Sequence, residues 1–206
     1  MKRFVYLSFV LAIYSFITGC ATSISSLLQN DGKNNYGNVI ELYKKECQSG
    51  KAKSCGILAS AYRTGNHVQQ NYQKAIEYYN KACELGDGKS CSWLGYLYLN
   101  GQGVRKDIKK AIQYYKKACD LNYSNGCSWL GYIYYKGKDV GQDYQKAFKY
   151  YKKACDLNDG RGCSWLGFFY KYGVGVRADG RKADKYYKKA CDLGDESGCK
   201  GLKTIY

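Results

Sequence analysis

Two helical stripes alternate along most of the chain. The segment Lys74-Ala75-Ile76-Glu77-Tyr78-Tyr79-Asn80-Lys81-Ala82-Cys83 places Ala75, Tyr78, Tyr79 and Ala82 at i, i+3, i+4 and i+7, one face of an α-helix. The segment Cys91-Ser92-Trp93-Leu94-Gly95-Tyr96-Leu97-Tyr98 does the same with Cys91, Leu94, Gly95 and Tyr98. Alanine and glycine in these stripes mark points of close helix approach, and tyrosine fills the space further out. Counterparts of the first segment begin at Lys110, Lys146 and Lys182, so the pattern returns every 36 residues. A period of that length marks a repeat array, in which no unit buries its face alone and neighbours must stack. The chain has no proline in 206 residues, so nothing interrupts the helices.

The cysteines keep the same period. Ten of the eleven fall into C-x7-C pairs: Cys47/Cys55, Cys83/Cys91, Cys119/Cys127, Cys155/Cys163 and Cys191/Cys199. On one continuous helix, residues eight apart are separated by ~12 Å along the axis. A disulfide needs its Cα atoms within ~7 Å, so the chain must reverse inside each pair. Gly, Asn and Asp between the cysteines, as in Asp156-Leu157-Asn158-Asp159-Gly160-Arg161-Gly162, suit the end of one helix and the start of another. Each pair reads as a staple across a helix–turn–helix hairpin, with no bridge between repeats. A loop this short contributes roughly 2.5 kcal/mol per bridge in the chain-entropy picture. A metal cluster fits poorly, because there is no C-x2-C and the single histidine, His67, lies outside the cysteine pattern. No metal or other cofactor is expected.

The run LGYLY, then NGQGV, then KD, then KAIQYYKKACDL resembles the Sel-like (sel-one) repeat, a relative of the tetratricopeptide repeat. The C-x7-C staple narrows the resemblance to the cysteine-rich Hcp branch of exported bacterial proteins. The match covers about residues 38–206, with degenerate first and last units and Gly137-Lys138-Asp139-Val140 in place of the usual G-x-G-V loop. The resemblance implies an all-α fold, a right-handed superhelical solenoid of αα-hairpins with a concave binding surface. It also carries over an association with penicillin binding and weak β-lactamase activity, but no catalytic residues.

Disulfides on this scale require an oxidising compartment. Lys2 and Arg3 followed by the apolar run Phe4–Ile17 form an export signal, and Ile17-Thr18-Gly19-Cys20 resembles the bacterial lipobox. Cys20, the one cysteine outside the 36-residue grid, is then the lipidation site; the alternative is ordinary cleavage after Ala21. Residues 1–19 read as signal peptide, 20–38 as a lipid-anchored flexible tether rich in Ser, Asn and Gly, and 39–206 as the solenoid. Ala21 after the cysteine resembles an outer-membrane sorting signal. The expected location is an outer-membrane lipoprotein facing the periplasm or cell surface, or alternatively a soluble secreted or periplasmic protein. The apolar run is too short for a good membrane span, so contact with the membrane is expected only through the lipid.

A formal net charge of +16 suits anionic partners, or simply keeps the array soluble. In an exported chain those partners are a peptide, a protein surface or an anionic cell-envelope ligand rather than nucleic acid, and the chain is expected to be a monomer. Gly101-x-Gly103-Val104 and Gly173-x-Gly175-Val176 resemble pieces of a nucleotide loop, but they lie between helices with no strand before them and read as turn glycines. Ser197-x-x-Lys200 matches a β-lactamase motif by chance, since its companion motifs are absent. No catalytic residue emerges, so a binding scaffold leads and a weak β-lactam hydrolase is the alternative. On a helical wheel, Trp93, Tyr96 and Asn100 oppose the buried stripe. Their equivalents are Trp129, Tyr132 and Lys136, then Trp165, Phe168 and Tyr172. Stacked repeats would align these as an aromatic ladder, which serves either as a binding surface or as packing between adjacent helices.

Overall fold

A computed structural model describes residues 36–203, and these contain ten α-helices and no strand. The segment expected to be a signal peptide, Cys20 and the expected tether as far as residue 35 lie outside the described residues. The chain divides into two units, Met1–Lys45 and Glu46–Tyr206, and the second holds the repeat array. Helix α1 covers 36–48, so the last three positions assigned to the tether are helical. Eight helices of thirteen residues follow: α2 (Ala52–Thr64), α3 (Tyr72–Glu84), α4 (Gly88–Asn100), α5 (Ile108–Asp120), α6 (Ser124–Lys136), α7 (Tyr144–Asp156), α8 (Gly160–Tyr172) and α9 (Gly180–Asp192). A shorter α10 (Glu196–Lys203) ends the array. Among the described residues, no helix is long and apolar enough to cross a membrane.

Local chemistry sets these boundaries. Asn71, Asp107, Asp143 and Asp179 cap the second-type helices α3, α5, α7 and α9, each accepting a hydrogen bond from the backbone N–H three residues on. The first-type helices α2, α4, α6 and α8 each end at a glycine in the left-handed region, Gly65, Gly101, Gly137 and Gly173, with φ between 66° and 76°. The glycine-rich segments at 101–104 and 173–176 are therefore helix-ending turns. At 137–140 the departure is local, because Asp139 takes the positive φ that Gly103 and Gly175 hold elsewhere.

The tightest packing joins α2 to α3, α4 to α5, α6 to α7 and α8 to α9. In each pair the second-type alanines, such as Ala75, Ala111 and Ala147, are fully buried. The two adjacent tyrosines do not share one role. Tyr79, Tyr115 and Tyr151 lie in the core rather than further out, while Tyr78, Tyr114 and Tyr150 are only partly buried. For Tyr115 and Tyr151 the reason is glycine in the facing helix, a position that the small Ala59 holds in the hairpin of Tyr79. A Cβ on Gly95 would sit 2.8 Å from the Tyr115 ring, so the missing side chain is the space that the ring fills. The outer tyrosines instead stack flat on tyrosines of the first-type helices: Tyr62–Tyr78, Tyr98–Tyr114, Tyr134–Tyr150 and Tyr170–Tyr186, at 5.5–5.8 Å.

Successive hairpins connect through the short turns at 85–87, 121–123, 157–159 and 193–195. A disulfide closes each of them in turn: Cys83–Cys91, Cys119–Cys127, Cys155–Cys163 and Cys191–Cys199. Cys47–Cys55 closes the turn before α2 in the same way, and the five Cα–Cα distances are 4.6–4.8 Å. First-type helices also touch one another, α4 with α6 and α8 with α10. Second-type helices reach each other through long side chains, as in Tyr114 Oη donating to Asn80 Oδ1 and Lys153 pairing with Asp120. The closer approach of the first-type helices makes theirs the inner side of the stack.

Candidate functional site

The residues opposite the buried stripe of α4, α6 and α8 lie on that inner side. Trp93, Trp129 and Trp165 are half-buried. Each lays one face on a core tyrosine: Tyr79–Trp93, Tyr115–Trp129 and Tyr151–Trp165, with interplanar angles of 15°, 15° and 8°. Each also meets the ring three residues on edge to face: Tyr96, Tyr132 and Phe168. The tryptophans thus pack between helices and keep an edge at the surface. Asn100 and Lys136 are exposed, as are Tyr132 at 39% and Tyr172 at 61%.

Rings link one level to the next. Tyr96 of α4 reaches Trp129 of α6 at 6.5 Å, and within α8 the rings continue from Phe168 to Tyr172 at 4.8 Å. Between α6 and α8 the link is Tyr135, 4.7 Å from Trp165 and 6.1 Å from Phe168. Every level also carries a cation against an aromatic face: Arg63 over Trp93 at 4.0 Å, Lys136 over Tyr132 at 5.8 Å and Lys171 over Tyr172 at 5.5 Å.

The face deepens into a cleft of ≈ 440 Å³ at its C-terminal end. Tyr135, Trp165, Phe168 and Tyr187 provide an apolar lining, and Arg161, Ser164, Asp195 and Ser197 a polar rim. Asp159 accepts from the Arg161 guanidinium, and Ser164 donates to Asp195. Burial pushes the Tyr187 hydroxyl up to about 12, so it is neutral and available as a donor throughout the physiological range.

Arg63, Tyr135, Arg161 and Asp195 escaped the sequence pattern. Arg63 and Tyr135 occupy one repeat position, shared with Leu99 and Lys171, so no periodic signal marks it. The usable signal was the opposite one, a position at which the repeats differ. Of the hydrolase alternative, Ser197 is exposed at the cleft rim, while Lys200 pairs with Glu196 on its own helix. Among the described residues, no group of His, Cys, Asp or Glu could hold a metal ion.

The sequence profile of the Sel1 repeat matches residues 52–87, 88–123, 124–159 and 160–195. In that phase each repeat is a tightly packed pair such as α4 with α5. The disulfides therefore cross repeat boundaries. Cys83, Cys119 and Cys155 end the second helix of one repeat, and their partners Cys91, Cys127 and Cys163 stand on the first helix of the next. Cys191 likewise belongs to the last matched repeat, and its partner Cys199 stands beyond that repeat on α10. This corrects the expectation of no bridge between repeats. The cysteines pair as the spacing requires, and the hairpin across each short turn is present, but that hairpin is the junction of two repeats and not the repeat itself.

Three solved structures are similar. A Sel1 repeat protein from Oxalobacter formigenes shares 30% identity and a TM-score of 0.78, over 83% of this chain and 70% of that one. A protective antigen of uropathogenic Escherichia coli displaying an SLR fold shares 30% identity and a TM-score of 0.76, over 81% of this chain but only 36% of that one. Cysteine-rich protein B of Helicobacter pylori shares 43% identity and a TM-score of 0.52, over 66% of this chain and 97% of that one. No curated protein sequence matches the chain.

Proposed function

Because the chain belongs to the Sel1 repeat family, we propose that it is a non-enzymatic scaffold that captures a peptide or protein segment on the inner face of its first-type helices. The observation that carries this reading is the ring surface from Trp93 to Tyr172, its two stretches bridged on α6 by Lys136 over Tyr132 and Tyr135, opening into the cleft beside Arg161 and Asp195. Half-buried aromatic rings held rigid from behind lose little conformational freedom on binding, which is why Trp and Tyr dominate recognition energy. The polar rim and the nearby exposed Lys136 suit a peptide: Arg161 and Lys136 meet carbonyl or carboxylate groups, and Asp195 meets amide donors. Five disulfides support an oxidising, extracytoplasmic setting. The finer location in this proposal is an outer-membrane lipoprotein held through Cys20 and monomeric in its function. Cysteine-rich protein B, 43% identical, is cysteine-rich by its name, which agrees with the oxidising setting.

The test is selection of a displayed peptide library on the oxidised protein, followed by affinity measurement with variants. Tyr132→Ala with Tyr172→Ala removes exposed rings without opening the core. It should weaken the selected peptides about tenfold or more while helicity is unchanged. Leu85→Ala, an exposed apolar residue in the short turn after α3, should leave binding intact. Equal affinity in all three proteins would sink the proposal.

A further inference from the structure

The second-type helices carry a charge pattern that neither packing nor helix stability accounts for. Helix α3 has two basic and two acidic residues and is neutral. Helices α5 and α7 each have four basic residues against one acidic, and α9 has five against two, so each carries a net +3. These three lie side by side, since Lys153 of α7 pairs with Asp120 of α5 and Lys189 of α9 donates to the Cys155 carbonyl of α7. The layout also works against the helices that bear it. Their first turns hold Lys109, Lys110, Lys146, Arg181 and Lys182 at the positive end of the dipole, with only the capping Asp107, Asp143 and Asp179 to oppose them. Like charges repeat at i, i+4 in Lys149/Lys153, Arg181/Lys185 and Lys185/Lys189, each pair costing about 0.2–0.5 kcal/mol. Lys109, Lys149, Lys185 and Lys188 are exposed and make no ion pair with a described residue.

We propose that the outer face of α5, α7 and α9 binds an anionic polysaccharide, at a site separate from the inner aromatic face. The chemistry selects this occupant over others. Of the thirteen basic residues on the three helices twelve are lysine, point charges on flexible stems that suit a mobile chain of spaced anionic groups better than a fixed, bidentate contact. Among the described residues, Tyr144 is the one large exposed hydrophobe on these helices. The face therefore lacks both the apolar anchors that centre a protein interface and the side chains that insert into a bilayer. The disulfides place it where envelope polymers, rather than nucleic acid, are the abundant polyanions.

Titration of fluorescein-labelled dextran sulfate with the oxidised protein tests this, with uncharged dextran as the control. Binding should be confined to the sulfated polymer and weaken as salt rises. The variant Lys109→Gln/Lys149→Gln/Lys185→Gln/Lys188→Gln should bind about tenfold or more weakly, whereas Arg105→Gln/Lys106→Gln/Lys138→Gln/Arg177→Gln on the long loops should lose about twofold or less. The Tyr132/Tyr172 variant should bind the polymer normally, which separates this site from the inner one. Equal loss in the two charge variants would reduce the effect to net charge and overturn the proposal. So would absence of binding, or tighter binding to phosphatidylglycerol vesicles or duplex DNA at equal charge.

Discussion

Glycine at 95, 131 and 167 leaves out a side chain so that a tyrosine ring from the partner helix can take its place. At Gly131 an added Cβ would lie 2.7 Å from two atoms of the Tyr151 ring, which is itself pinned against Trp165. Gly131→Ala should therefore cost about 2 kcal/mol in urea denaturation, as overpacking does in a filled core. A loss below about 0.5 kcal/mol would mean that the ring gives way freely. The role of these glycines was legible, because a glycine recurring on a buried helical stripe marks a point where a neighbouring helix comes close. The short-turn positions were legible too: Gly50, Gly86, Asn122, Asn158 and Gly194 all have positive φ, and Gly and Asn are the residues that accept it. His67 and Asp139 hold the same conformation in the long loops, at φ 59° and 72°, where Gly103 and Gly175 stand in other repeats, so the glycine signal is broken there. Arg63 was equally hidden. It donates to Tyr79 Oη across sixteen residues, while Tyr115 Oη and Tyr151 Oη are buried with no hydrogen-bond partner among the described residues.

At the level of the helix, the stripes were readable but their pairing phase was not. Cysteines eight apart draw attention to the short turn, yet the extent of packed surface makes the long-loop hairpin the repeat. Both connections join antiparallel neighbours, so periodicity alone cannot rank them. The ladder was half legible for a related reason. A wheel places Trp129 opposite the core stripe, but it cannot show that Tyr115 rises behind it from the preceding helix. Those buried tyrosines of the second-type helices predict an alkaline response. Burial raises the hydroxyls of Tyr79, Tyr115, Tyr151 and Tyr187 above the ordinary value. A raised folded value gives stability that is complete below the unfolded value near ~10 and is lost as pH climbs through the folded one. Helicity should hold to about pH 10 and then fall, with the last tyrosinate absorbance appearing together with unfolding. Titration of every tyrosine in one step at constant helicity would contradict this.

For the whole array, stability is a sum of repeats and of the interfaces between them, and the bridges sit at the interfaces. Removing the central bridge by Cys119→Ser/Cys127→Ser should lower stability by about 2–3 kcal/mol and broaden the urea transition, because it loosens the junction on which both halves depend. Removing the terminal one by Cys47→Ser/Cys55→Ser should leave the main midpoint nearly unchanged and expose only the end to local opening. Identical curves for the two variants would show that the bridges act on each turn alone. The placement of the bridges also decides which backbone cuts matter. A peptide bond broken at 85–90, 121–126 or 157–162 lies inside a covalent ring, and both ends stay attached through sulfur. A cut in a long loop, such as 101–107 or 173–179, has no such ring around it and divides the chain. Against proteases, the molecule is thus a string of sealed joints and open links, and its survival in one piece depends on the links alone for as long as its surroundings stay oxidising.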